Sequence, residues 1–290
     1  FPGIENFAGT VIHPQNWPED LDYTGKRIVV IGSGATAVSL VPALARKASH
    51  VTMLQRSPGY LFSMPRVNRF YSALRTVMPN QASYSIIRTI ALIFEKVLWV
   101  IARGFPNAVR KFVRWQNVSR LPKGYPVDID FKPSYNPWDE RMCLVADGDV
   151  FEEISKGRLE VVTDHVDHFD PSGIVCKSGR HLDADIVVTA TGLQLQALGG
   201  VRVSVDGTEV KPQERFSYKA HMLDDVPNLF WCIGYTNASW TLRADMTARA
   251  TAKLLDYMDA GGYTHAYPHP GGEPIAERLT WDLQAGYVQR

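Results

Sequence analysis

Two short stretches of this chain bring together residue types that could hold a phosphate-bearing ligand. The first is Gly32-Ser33-Gly34-Ala35-Thr36-Ala37, which follows the β-branched run Val29-Val30-Ile31 and opens a helical pattern continuing to Arg46. Strand, glycine turn and helix in that order is the context in which G-x-G-x-x-G/A has meaning. Gly32 permits a tight turn, Gly34 removes a side chain where a pyrophosphate would approach, and the small Ala37 lets helix and strand pack closely. Free amides and the helix dipole then face the anion. The second stretch is Gln55-Arg56-Ser57, at the end of the next apolar run. NAD enzymes usually place an acid there on the ribose 2′-hydroxyl, whereas an arginine suits the 2′-phosphate of NADP. Arg56 offers a two-pronged donor to a phosphate and Ser57 adds another. The pair favours NADPH over NADH, although a solvated arginine closing a strand has the same appearance.

These residues need a scaffold. Lys26–Ile31 reads as a first strand, Ala35–Arg46 as a helix with Pro42 inside it, and His50–Gln55 as a second strand, together a βαβ unit. Farther on, Glu152–Lys156 reads as helix. Leu159–Thr163, Ile174–Cys176 and Ile186–Thr191 read as strands, and Ser178-Gly179-Arg180 as a hairpin turn. The Ile186 run ends in the small residues Thr189-Ala190-Thr191-Gly192, which let a cofactor or a crossing chain approach the backbone. Short β-like pieces follow at Val201–Val205 and Asn228–Ile233, then a helix near Ala244–Met258.

Composition narrows the class. The chain has 290 residues, 45% of them apolar and 21% charged, within the range of ordinary globular proteins. A net charge of +1 argues against nucleic acid as a partner. Cys143, Cys176 and Cys232 are widely separated, which fits a reducing, cytoplasmic setting and argues against a disulfide framework, a zinc site or a dithiol redox centre. No metal site is expected, and His165, His168, His265 and His269 read as surface residues.

The charge is not evenly spread. Residues 64–127 hold eleven Lys or Arg and one acid, Glu95, for a local charge of +10. Within them Ile86, Ile90, Ile93, Val97 and Ile101 recur at helical spacing. Ser83–Ala102 is long enough to cross a bilayer, but Arg88, Glu95 and Lys96 interrupt it, so no transmembrane span is predicted. Two readings stay open: a helical insertion packed on the core with a basic outer face, or a patch for peripheral membrane association or an acidic partner.

Residues near the start carry a family resemblance. Phe7-x-Gly9-x-x-x-His13-x-x-x-Trp17-Pro18 resembles the fingerprint of the Baeyer–Villiger monooxygenases, within the flavin-containing monooxygenase superfamily. The glycine turn follows at the family's usual distance, and Ala190-Thr191-Gly192 matches a second family segment. Tyr135-Asn136-Pro137-Trp138-Asp139-Glu140-Arg141 and Gly234–Thr241 are similar to the ethionamide-monooxygenase-like branch. The resemblance implies an α/β fold: a Rossmann-type NADPH-binding domain over 24–190 carrying the insertion at about 65–127, a linker over 1–23, and over 191–290 the C-terminal part of an FAD-binding domain. It implies FAD and NADPH as cofactors, and O2 with a small ketone or thio compound as substrates. Oxygen insertion or sulfur oxygenation would run through a peroxyflavin. It assigns Arg141 to the developing negative charge and His13 to coupling between domains. Gly32, Ser33, Gly34, Ala35, Thr36, Arg56 and Ser57 would hold NADPH, and Thr191, Gly192, Asn237 and Trp240 would lie toward the flavin or substrate. In the family an FAD segment with its own glycine turn precedes the linker; its absence here leaves a truncated NADP-binding remnant without activity of its own as the alternative. A pyridine-nucleotide disulfide reductase would need a cysteine pair this chain lacks.

Overall fold

The computed structural model describes residues 1–139, 142–194, 196–234 and 240–272. They form two compact units, Phe1–Gly192 and Leu193 onward.

In the first unit the strands are β1 (Thr10–Ile12), β2 (Arg27–Ile31), β3 (His50–Gln55), β4 (Leu61–Met64), β5 (Cys143–Ala146), β6 (Leu159–Thr163), β7 (Val166–Asp170), β8 (Gly173–Cys176), β9 (His181–Asp183) and β10 (Ile186–Thr189). The helices are α1 (Ala35–Leu44), α2 (Arg69–Val77), α3 (Asn80–Gly104), α4 (Pro106–Arg120), α5 (Val127–Asp130) and α6 (Asp149–Ser155). Five strands build one parallel sheet in the order β1-β10-β2-β3-β6. Because side chains alternate across a strand, β2, β3, β6 and β10 each feed two cores, and β1 adds Ile12 to the first. Ile28, Val30, Val51 and Met53 meet α1 and α6 on one face. Val29, Ile31, Leu54 and Val187 meet the antiparallel β7-β8-β9 sheet on the other, through Phe169, Ile174 and Leu182. A strand buried on both faces reads as a continuous apolar run, and β2 is one. Val29 and Val30 are fully buried, each worth about 1.5–3 kcal/mol relative to exposure. The sheet and its helices are the α/β, Rossmann-type arrangement expected from the sequence. Pro42 sits within α1, which ends at Leu44, two residues before the expected boundary.

The segment read as a linker supplies β1, which extends the sheet by pairing with β10. Phe7 is buried edge-on against Phe169. A Cβ on Gly9 would lie 2.5 Å from both the Asp185 carbonyl oxygen and the Phe7 ring, so glycine is required there by close approach. Trp17 packs on the first core and meets Tyr23 edge-on.

Residues 65–127 are helical over α2, α3 and α4, as expected. The expectation that the apolar stripe of α3 packs on the core is corrected. Ile86, Ile90, Ile93, Val97 and Ile101 are 37–59% exposed, and only Ser83 and Ala102 of this helix are buried.

The second unit contains the hairpin β11 (Val203–Val205) with β12 (Thr208–Val210), the short pair β13 (Ser217–Tyr218) with β14 (Met222–Leu223), and α7 (Trp240–Gly261). Its small core gathers Val210, Leu223 and Val226 with Trp231. The expected strand at Asn228–Ile233 is not formed: Asn228 sits in a turn with φ +58°, and residues 229–233 carry no regular structure.

Candidate functional site

The glycine turn leaves the C-terminal edge of β2. Gly32 has φ +128°, its N–H donates to the Leu54 carbonyl at 2.8 Å, and a Cβ there would lie 2.3 Å from the Ala190 carbonyl oxygen. The small residues ending β10 therefore make room for the turn itself. Gly34 is different. Its φ is ordinary, it precedes α1 with no side-chain cap, and a Cβ would meet nothing within 4 Å. The amides of the first helical turn have no partner within the helix, and Gly34 keeps the space in front of them open. Gly34 and Ala35 are exposed and Thr36 half-buried, so the surface is accessible to a ligand.

The two stretches singled out in the sequence meet. The Ser33 hydroxyl donates to the Ser57 carbonyl at 3.2 Å, which ties the glycine turn to the end of β3. Arg56 and Ser57 are exposed beside it. Gln55, by contrast, turns inward. Its amide donates to the Asp130 carbonyl and to Thr163 Oγ1, each at 2.8 Å, and Thr163 and Tyr125 donate to the Asp130 carboxylate at 2.8 and 3.0 Å. Burial raises the Asp130 carboxyl above its ordinary value, against those two hydrogen bonds. This network fixes the strand end and leaves Arg56 as the side chain there that faces outward. Sequence reasoning missed it; an apolar run closing on Gln, with Asp130 and Thr163 distant in sequence, gives no local sign of it.

A loop approaches from the other side. The Tyr60 hydroxyl and the Arg110 guanidinium both donate to the Tyr135 carbonyl, at 2.8 and 3.0 Å, and the two tyrosine rings meet edge-on at 5.4 Å. Asp139 accepts from the Asn136 N–H at 3.0 Å and pairs with Arg103 at 3.5 Å. Ala102, Val109 and Val113 of the insertion pack beneath, with Tyr135, Trp138 and Met142 against them. Thus the helical insertion holds the loop that leads to Arg141. Arg141 itself, like Asn237, lies outside the described residues. Tyr60 and Arg110 were not singled out from sequence, since nothing in their local pattern marks them.

His13 Nδ1 accepts from the Gln15 N–H at 3.3 Å, so the neutral ring carries its proton on Nε2 and donates it to the Gly192 carbonyl at 3.0 Å. Gly192, with φ +121°, is the last residue of the first unit. The first segment is thereby tied to the chain at the end of that unit. Thr191 is exposed beside Gly192. Trp240 opens α7 in the second unit, half-exposed, its ring lying where a Cβ on Gly234 would be. The cysteines form no disulfide; Cys143 and Cys176 are buried and Cys232 is exposed. Among the described residues no cluster of His, Cys, Asp or Glu could hold a metal ion.

Over its whole length the chain is 47% identical to a Mycobacterium tuberculosis protein named "Putative FAD-containing monooxygenase MymA" and 46% identical to the FAD-containing monooxygenase EthA of Mycolicibacterium smegmatis. It spans 59% of the length of each. Among solved structures, an oxidised steroid monooxygenase bound to NADP matches 93% of this chain, and 60% of its own, at TM-score 0.69 and 20% identity. OTEMO in complex with FAD and NADP matches 94% of this chain, and 60% of its own, at TM-score 0.69 and 18% identity. The model of the flavin-binding monooxygenase-like family matches residues 1–197, and the chain belongs to that family.

Proposed function

We propose that this chain is the NADPH-binding part, with the following portion of an FAD domain, of a monooxygenase that uses FAD, NADPH and O2 to oxygenate a small ketone or a sulfur compound. The observation that carries this reading is the Ser33–Ser57 hydrogen bond, which sets the open glycine turn beside Arg56. A dinucleotide would lay its pyrophosphate on the amides from Gly34 to Thr36, where the absent Cβ leaves room. Its 2′-phosphate would take charge-assisted hydrogen bonds from Arg56 and Ser57. Residues 24–190 then serve NADPH, and residues 191–290 belong to the FAD domain. Membership of the family and the names of the relatives support the flavin assignment.

The fit to FAD is partial. The described residues offer one strand–glycine turn–helix cradle, so no phosphate site for a second dinucleotide is assigned among them. When bound in the longer protein, FAD supplies the hydride acceptance and the oxygen chemistry. This chain's own part is binding and electrostatics. His13 holds the Gly192 carbonyl and so positions Thr191 and Gly192. Arg141 supplies a cation that stays charged when water is excluded, suited to the negative charge that develops on oxygen. Asn237 and Trp240 keep their assignment toward flavin or substrate by resemblance alone.

The test is nucleotide preference. Losing a charge-assisted contact costs about 1.5–3 kcal/mol, so Arg56→Ala should weaken NADPH binding roughly 10- to 100-fold and leave NADH unchanged. Equal losses for both nucleotides, read by titration calorimetry, would remove Arg56 from the site. In the longer protein, Arg141→Ala should preserve NADPH oxidation and abolish oxygenated product. Full product yield would reject the role of Arg141.

A further inference from the structure

The helix α3 is amphipathic in the wrong sense for a packed domain. Its apolar stripe, Ile86, Ile90, Ile93, Phe94, Val97 and Ile101, is 37–59% exposed. Three- and four-residue spacing places these side chains on one face along most of the 25-residue helix. Exposed apolar surface of this extent on a folded chain marks an interaction site. Trp99 on the same helix and Trp115 on α4 add large exposed aromatic surfaces.

The surroundings of the stripe say what covers it. The insertion carries +10, and its lone acid, Glu95, is half-buried. Arg69, Lys96 and Lys111 have no ion-pair partner among the described residues, so their charge is free for an outside anion. The hydroxyls along the helix make no demand on a partner: Ser85 donates to the Gln81 carbonyl and Thr89 to the Ser85 carbonyl, each at 2.9 Å. In hydrocarbon an unsatisfied polar group is costly, and this helix satisfies its own. A run of Ile, Val and Phe with no outward donor or acceptor suits a fluid apolar medium better than a protein groove that must fix a register. No helix among the described residues is long and apolar enough to cross a membrane, so the contact is superficial.

We propose that α3 and its flanking basic residues dock this chain on the surface of an anionic lipid bilayer. The helix lies in the plane of the interface, its apolar stripe sunk to the acyl boundary. The free arginine and lysines rest on lipid phosphates, with the stem of Lys96 lying along the apolar face.

Vesicle co-sedimentation of the full chain tests this. Phosphatidylcholine vesicles containing phosphatidylglycerol should carry the protein down; pure phosphatidylcholine should carry far less, and high salt should weaken the anionic case. Each of Lys96→Gln and Lys111→Gln should reduce binding about fivefold. The triple variant Ile90→Ser, Ile93→Ser, Val97→Ser should abolish it with thermal unfolding unchanged, since all three sites are exposed. The proposal is overturned if anionic vesicles leave the protein in the supernatant, or if the triple variant sediments like the parent. A concentration-dependent dimer that the triple variant dissolves, without vesicle binding, would assign the face to a second copy instead.

Discussion

Gly32 and Gly34 stand two residues apart in one turn and are glycines for opposite reasons. Gly32 needs its positive φ and sits against the Ala190 carbonyl, so any side chain collides with backbone. Gly34 has an ordinary φ and open space before it. Substituting alanine separates the two roles. Gly32→Ala should destabilise the fold by several kcal/mol, the expected scale for strain at a special φ combined with a buried clash. Gly34→Ala should leave thermal unfolding nearly unchanged and weaken NADPH, because its methyl group occupies the space assigned to the pyrophosphate. Paired melting curves and NADPH titrations check this; a Gly34→Ala protein that binds NADPH like the parent would argue against the cradle. The sequence marked both glycines by spacing, but only the approach of β10 distinguishes them, and that strand is far off along the chain.

At the scale of elements, the β7–β8 hairpin covers one face of the parallel sheet and depends on a carboxylate. Asp170 accepts from the Ser172 N–H and hydroxyl at 2.7 and 2.8 Å, from the Gly173 N–H at 2.8 Å, and from His181 at 2.8 Å. The Ser172 contacts first, then His181 and Gly173, hold its carboxyl at about 2, below the ordinary 3.8. A depressed native pKa means that this stabilisation is fully present above pH 3.8 and is lost as pH falls toward about 2. Asp170→Asn should therefore melt lower than the parent at neutral pH, and the two melting temperatures should converge between pH 4 and 2. A constant gap across that range would show that the carboxylate charge is irrelevant. The hairpin turn at Ser178–Arg180 was readable from its residues. The helix α3 was readable too, from the period of Ile86 to Ile101. Which way α3 turned its stripe was not, because periodicity says that a face exists and not what meets it.

For the molecule as a whole, the division after Gly192 separates a three-layer unit from a small second one. The chain spans about three-fifths of the relatives it matches, and the described residues provide one strand–glycine turn–helix cradle. The chain alone should thus be stabilised by NADPH yet purify without flavin absorption. Saturation at 100 times Kd would add about 2.7 kcal/mol to its stability. A yellow protein with bound flavin would reject the assignment of the FAD phosphate site to the remaining length of the longer protein.

Local order carried much of this far. Strand, glycine turn and helix are adjacent in the chain, so residues 26–57 disclosed the βαβ unit, its glycine turn and the arginine at its second strand without any long-range information. The fingerprint from Phe7 to Pro18 disclosed the family and nothing of its own physical role. That role came from contacts across the chain: Phe7 on Phe169, Gly9 under the Asp185 carbonyl, His13 on Gly192. The inward turn of Gln55, the support of the Tyr135 loop by Arg110, and the outward face of α3 likewise belong to the tertiary structure. Each depends on which distant backbone or side chain arrives beside it, and no local preference of a sequence encodes that arrival.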